Sequence, residues 1–412
     1  MPRCGSHGWL PFAGLAILLA GCSAPPPPKF TVWSPPESAF APSPSSGNAY
    51  DGYVIAAREA EAAAGDLASY VSFEGKHKRL LIERVAPALK KLREAAQHPC
   101  NVKFISVAPF ETIPNHAGWR LLRYSLMWQL ESALTKGDFD TAVNLVVLST
   151  KVGFDLAGGG AADADLGLQF ADEARRQIAS YLQDLSQNQL AKLTTGLKRA
   201  LESMPRFEAI AQNESKNYLE SIQWIQDQYE ADKFDVIDTN LGPPVRDAIT
   251  YLKQVKKEDR TKRPAYFEGF ADEAGKIVDW QKSQSALPVV KRKPEKEMVL
   301  AEERPWRRFS TALLSTLKPI LVRYDATLAR TRLLILTGEI HRQIKAARAA
   351  PGSLGGFSPD LTVDPYSGQP FKYRADGMEF FLYSVGLNFQ DDQAATDSIF
   401  TSPDLTLEST RR

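Results

Sequence analysis

Cysteine and histidine are scarce: the 412 residues hold three of the first and five of the second. No Cys-x-x-Cys or His-Glu-x-x-His spacing occurs, which removes the familiar zinc patterns. An excess of either charge is also missing, with 50 Lys+Arg against 49 Asp+Glu. A nucleic-acid binder needs a basic face, and nucleic acid is therefore not an expected partner. No apolar run reaches the roughly 20 residues that a membrane-spanning helix needs. Between Gly269 and Gly275-Lys276 there is one residue too many for a phosphate loop, and Ile277 stands where the magnesium-binding hydroxyl belongs. Ser315-Thr316-Leu317-Lys318 fits a Ser-x-x-Lys nucleophile–base step. Its companion Ser-Asp-Asn and Lys-Thr-Gly motifs are missing and Pro319 follows at once, so it reads as the polar side of a helix. Asp163 and Asp165 sit where helix caps are expected, and Gly158-Gly159-Gly160 lacks the preceding strand of a phosphate-cradling turn.

What is present begins at the N-terminus. Arg3 precedes an apolar run from Trp9 to Ala20, about 12 residues long, which is the length of a secretory signal core rather than a membrane span. Leu19-Ala20-Gly21-Cys22 closes it. These four residues resemble the lipobox of bacterial lipoproteins. The resemblance implies cleavage between Gly21 and Cys22, a diacylglyceryl thioether (with palmitate-like chains) on the Cys22 sulfur, and an acylated amine. Several acyl chains give lasting attachment where one would not. Ser23, a non-aspartate, implies sorting to the outer membrane with the body on the periplasmic side. Residues 1–21 hold one charge, Arg3, so the mature chain is formally neutral. Cys4 leaves with the signal and Cys22 carries lipid, which leaves Cys100 without an internal disulfide partner. Cys100 is then either a reactive thiol or a small buried hydrophobe beside Val102 and Phe104.

Residues 22–48 read as a tether, with Pro25 to Pro28, Pro35, Pro36, Pro42 and Pro44 favouring extended polyproline geometry. From residue 49 to 350 the apolar period is helical. Helices are expected at Tyr53–Ala68 and His77–Gln97, and Val102–Val107 reads as a short strand. Trp119, Leu122, Leu126, Leu130, Ala133 and Leu134 recur at steps of three and four. Gly137 then supplies a left-handed stop and Asp138 a cap for a second helix carrying Phe139, Ala142, Val143, Val146 and Val147. A helix follows from about Ala162 to Asp184. Ser186 and Gln189 form a capping box for the next, with Leu190, Leu193, Leu197 and Leu201 on its face. Another runs through Ile210, Leu219, Ile222 and Ile225. Residues 281–305 read as an exposed loop, and its Lys291-Arg292-Lys293 as a solvated run balanced by Glu295, Glu297, Glu302 and Glu303. A long helix is expected from Trp306 to Ala349, kinked or divided at Pro319. These closely joined hairpins resemble tetratricopeptide-like pairs, but no clean repeat of that length occurs. The expected fold is mainly α: an irregular helical bundle or α-solenoid with a small C-terminal antiparallel β-hairpin.

After Pro351 the period changes. Asp364 to Pro370 is turn-rich, Phe371–Arg374 alternates as a strand, and Asp376-Gly377 is a favoured two-residue hairpin turn before a return strand from Met378 to Val385. A third strand is expected at Ser398–Phe400 or Leu405–Leu407. Residues 351–412 thus form a β-hairpin module. Its Asp364-Pro365-Tyr366, Gly368-Gln369-Pro370, Tyr373 and Ser384-Val385-Gly386 landmarks resemble the C-terminal region of type II secretion pseudopilins. That resemblance implies calcium in the following loop, with Asn388, Asp391 and Asp392 as oxygen donors. The family's glycines are absent, and the other reading is a solvated acidic loop. The prepilin N-terminus is absent too, which argues against polymerisation into a pilus. The mature chain also resembles uncharacterised helical proteins of planctomycete-like bacteria through Gly137-Asp138-Phe139 and the terminal hairpin, and neither resemblance supplies an activity.

No catalytic constellation emerges. The expected role is that of a membrane-anchored envelope lipoprotein with scaffolding or partner-binding duties, its partners the membrane, through the lipid, and an envelope protein. No cofactor other than calcium is expected. The alternatives are an envelope hydrolase with carboxylates in a helical groove, or a calcium-stabilised binding module. Trp119, Tyr124, Trp128, Tyr218 and Trp224 form either core or the lining of a groove between helices.

Overall fold

Apolar periodicity and capping chemistry set the helices, and the order of the elements follows. The computed structural model describes residues 47–69, 73–102, 115–231, 250, 253, 263–294, 298, 307–392 and 404–407. Within them are ten α-helices and a three-stranded antiparallel sheet. The helices are α1 (Ala49–Ala64), α2 (Gly75–Ala95), α3 (His116–Lys136), α4 (Phe139–Leu156), α5 (Ala161–Ala179), α6 (Gln187–Glu202), α7 (Phe207–Glu230), α8 (Arg263–Ser285), α9 (Arg307–Ala347) and α10 (Pro359–Thr362). Residues 1–46, 103–114 and 299–306, and with them the lipobox, the tether up to Ser46 and the expected strand at Val102–Val107 beyond its first residue, lie outside the described residues.

The hairpin between α3 and α4 forms for the reasons its residues suggest. Gly137 takes φ 72° and returns its N–H to the Ala133 and Leu134 carbonyls. Asp138 accepts from the Thr141 N–H at 3.2 Å. Ser186 and Gln189 close both halves of their capping box. Less visible in the sequence is how closely the helices cross. Gly153 of α4 and Gly167 of α5 meet so tightly that a Cβ on either would overlap the other's carbonyl oxygen.

Helix α1 packs on α2 and α3, α3 on α4, and α4 on both α5 and α6. The 41-residue α9 lies against α5, α6, α7 and α8. In a solenoid each unit touches only its neighbours, so this long helix makes the body an irregular bundle. It also runs through Pro319 undivided. The proline removes one hydrogen bond, but Leu313, Leu317 and Ile320 on either side are buried in a shared core with Phe207, Ile210 and Ile277, which keeps the helix continuous.

The stretch expected to be an exposed loop at 281–305 is in part exposed where it is described, with Leu287, Val290, Lys291 and Lys293 on the surface, and in part docked. Helix α8 extends to Ser285. The Val289 and Val290 N–H groups donate to the Pro365 and Tyr366 carbonyls at 3.0 and 2.9 Å. Arg292, expected to be solvated, forms a two-pronged ion pair with buried Asp325 at 2.5 and 2.8 Å.

The sheet has the order β1 (Lys372–Asp376), β2 (Glu379–Ser384), β3 (Leu405–Thr406). Asp376 pairs with Glu379, so the two-residue turn is Gly377-Met378, one residue later than the sequence suggested. Gly377 takes φ 60° and Met378 does not take positive φ, the pattern of a turn that needs glycine at its first central position alone. Of the two places for a third strand, the later one is occupied, and Ser398–Phe400 lies outside the described residues. Phe371, Leu382 and Leu407 bury into the same core as α1–α6. Buried Arg175 of α5 donates to the Leu407 carbonyl at 3.0 Å, tying β3 to the bundle.

Candidate functional site

Cys100 lies at the end of α4. Its Sγ faces the Asp155 carbonyl at 3.9 Å. Burial, and then the Asp155 charge, push the thiol well above its ordinary range. A thiol held protonated is a poor nucleophile, and half-buried Cys100 packs against the main core as a small hydrophobe. Asp155 is itself 4 % exposed. It accepts from the Tyr53 hydroxyl at 2.6 Å and from Lys151 Nζ at 2.6 Å. Burial lifts its carboxyl, and Lys151 and Tyr53 pull it back down.

The acidic pair at the start of α5 does not cap. Asp163 instead meets His116 Nε2 at 2.5 Å, and Asp165 pairs with Arg323 and accepts from Gln169. Each carboxylate turns to a different partner because side chains two residues apart on a helix point about 200° apart, to opposite faces. The cap comes from elsewhere. Glu214 of α7 is buried, and its Oε2 accepts the Ala161 N–H at 2.9 Å, placing a carboxyl at the N-terminus of α5. Burial raises the Glu214 carboxyl. No local pattern announces this contact, which joins residues 53 apart.

Helix α8 absorbs the Gly269 to Lys276 stretch, and Ser315 and Lys318 lie exposed on α9. The aromatic candidates divide into two groups. Trp119 is buried, with its indole N–H on the Tyr53 carbonyl at 3.0 Å. Tyr124 and Trp128 stack on each other under Phe73. Tyr218, bonded to Thr316 at 3.0 Å, and Trp224 pack in the second core. Trp119 and the Tyr218–Trp224 pair thus belong to two different cores.

The calcium candidates do not converge. Asn388 Nδ2 donates to Asp392 at 2.6 Å, whereas Asp391 accepts from the Tyr383 hydroxyl at 2.7 Å and sits 3.3 Å from Lys372. Calcium wants six to eight oxygens. Among the described residues no group of three or more His, Cys, Asp or Glu side chains is placed to hold a metal ion. As arranged, the three side chains do not fit one.

The carboxyls that burial raises most clearly, Asp155, Glu214, Asp325 and Asp364, are each satisfied by named partners. None of them lines the groove at Glu339 or the groove at Lys192. The smaller groove, about 510 Å³ between α6, α9 and α10, is lined by both signs of charge. There Glu339 takes Lys198 and Arg342, each at 2.7 Å, so the charges cancel in place.

The larger groove, about 960 Å³, lies between α4, α6 and the end of α2. Arg93, Lys151, Lys192 and Arg199 line it, with Asn144, Thr141 and Thr195, and no acidic side chain does. Lys151 is held by Asp155, but neither Lys192 nor Arg199 has an ion-pair or hydrogen-bond partner among the described residues. This arrangement can hold an anion.

No protein-family model, no curated protein and no solved structure matches this chain. Among the described residues no helix is long and apolar enough to cross a membrane.

Proposed function

We propose that this protein is a bacterial envelope lipoprotein, anchored through acylated Cys22 after cleavage at Gly21, whose helical body binds an envelope partner and carries out no reaction. The anchor is supported by a short apolar segment closing on Leu19-Ala20-Gly21-Cys22, followed by a proline-rich tether. Ser23 favours the outer membrane, with the body on the periplasmic face. One observation carries the binding half of this reading: a groove of about 960 Å³ lined by cations and no carboxylate, in which Lys192 and Arg199 have no counterion among the described residues. Exposed cations that serve only solubility are normally interspersed with carboxylates, as they are around Glu339.

Two measurements test this reading. Mass analysis of the mature N-terminus from the native host should find a diacylglyceryl-modified Cys22 as the first residue, and Cys22→Ser should release the chain from membranes. A natural product that retains residues 1–21, or carries an unmodified Cys22, sinks the anchor. Crosslinking from the groove in intact cells should yield one defined partner, and a pattern equal to that from the opposite face sinks the binding role.

A further inference from the structure

The shape of the groove limits what fits it. Helices α4 and α6 run side by side in one register. Asp140 meets Gln189 at 3.2 Å near their N-termini, and Val147 meets Gly196 two turns on, both at an offset of 49 residues. Gly196 permits this approach, since a Cβ there would lie 2.5 Å from Val147 Cγ2. The two helices therefore form a continuous floor, with the apolar Leu145, Val147 and Leu148 contributed by α4. From Thr141 to Lys151 the floor runs about 15 Å at 1.5 Å per residue. An extended peptide of about four or five residues spans that length.

The charges are spread along the groove. Lys192 and Arg199 lie two turns apart on α6, about 10 Å along its axis. Lys151 marks one end, its Nζ fixed by Asp155, which also accepts from the Tyr53 hydroxyl. Arg93 stands on the α2 side. A single phosphate does not engage charges spaced this way, and a flat membrane surface does not enter a concavity. An apolar floor between cationic walls suits a chain that alternates carboxylates with apolar side chains, its backbone within reach of exposed Asn144 and Thr195.

We propose that this groove binds an extended acidic peptide segment of a partner protein, with Lys192, Arg199 and Arg93 taking its carboxylates and the α4–α6 floor its apolar side chains. The inference rests on the partner-binding role proposed above and names that partner's chemistry.

The test uses the full chain in detergent and a fluorescein-labelled hexapeptide alternating Glu and Leu, read by fluorescence anisotropy. Lys192→Glu/Arg199→Glu should weaken binding by about tenfold or more, whereas Lys76→Glu/Lys90→Glu, an equal change of charge outside the groove, should leave it within about twofold. Melting of both variants should match the parent, since all four side chains are exposed. A hexapeptide alternating Lys and Leu should not bind. Pyrophosphate, or phosphatidylglycerol in mixed micelles of the same detergent, should not displace the acidic probe. No binding of the acidic peptide, equal loss in the two double variants, or equal displacement by pyrophosphate or the lipid overturns the proposal. The anchor is read by N-terminal mass and the groove by anisotropy, so either result stands without the other.

Discussion

Where α4 crosses α5, Gly153 and Gly167 meet backbone to backbone. Where the turn after α10 meets β2, one buried carboxylate gathers four donors. Asp364 accepts the Tyr366 and Val385 N–H groups at 2.9 and 3.2 Å and the Ser384 and Ser367 hydroxyls at 2.8 and 3.3 Å. The bundle is thus closed by removing side-chain atoms, and the sheet module by concentrating polar ones. The first device fails by overlap, and the second by leaving buried donors unpaired. The Asp364-Pro365-Tyr366 and Ser384-Val385-Gly386 landmarks, 20 residues apart, are the two sides of this single junction.

The comparison is broken most severely at the crossing. Gly167→Val puts side-chain atoms onto the Gly153 carbonyl and should cost about 3 kcal/mol or more. Urea unfolding monitored by circular dichroism should show a large drop in midpoint across the whole transition, and an unchanged midpoint would mean the helices separate freely.

Asp364→Ala should come next, at about 2–3 kcal/mol, since it strands buried N–H and hydroxyl donors. Its loss should be local: hydrogen exchange should accelerate in β1 and β2 while α3 and α4 stay protected. Uniform acceleration would mean that module and bundle unfold as one.

A milder perturbation sharpens the contrast. Burial raises the Glu214 carboxyl in the folded protein. Its contribution is then fully present below its unfolded pKa, near 4.3, and is lost as pH rises through the higher folded value. Glu214→Gln should therefore be more stable than the parent at neutral pH relative to pH 4, with a flatter stability profile in urea titrations between them. A steeper profile would show that the ionised form is the one the fold favours at the α5 N-terminus.

The smallest effects belong to the surface. Lys192→Glu/Arg199→Glu should change stability by less than about 0.5 kcal/mol, because neither side chain holds the fold together. Calcium should leave the melting temperature where it is, since Lys372 and Tyr383 already occupy Asp391. A calcium-dependent rise abolished by Asp391→Ala would restore that loop as a metal site.

Much of the fold was legible because its causes are short-range. Gly137-Asp138 and Ser186 with Gln189 act within four residues, and the apolar faces repeat with the helix itself. The hairpin at Gly377 was legible to within one residue, because Asp and Gly both tolerate turn geometry and pairing partners decide between them. Of the two outcomes expected at Pro319, division did not occur, because its local penalty is outweighed by the core around Leu313, Leu317 and Ile320. Arg292 misled because its counterion, Asp325, lies 33 residues on. The groove was not legible at all. Its cations come from three helices, and nothing in the order Arg93, Lys151, Lys192, Arg199 says that they share a wall.

The sequence by itself determined the helical faces, their caps, the change of period after Pro351 and the lipobox pattern at Cys22. These are properties of neighbouring residues, governed by backbone geometry and by the spacing of apolar side chains. Tertiary structure alone decided which charges meet. His116 found Asp163, Glu214 found the start of α5, and Lys192 and Arg199 found no counterion among the described residues. Electrostatic pairing depends on distance in space, and only the packed crossings of the helices fix those distances.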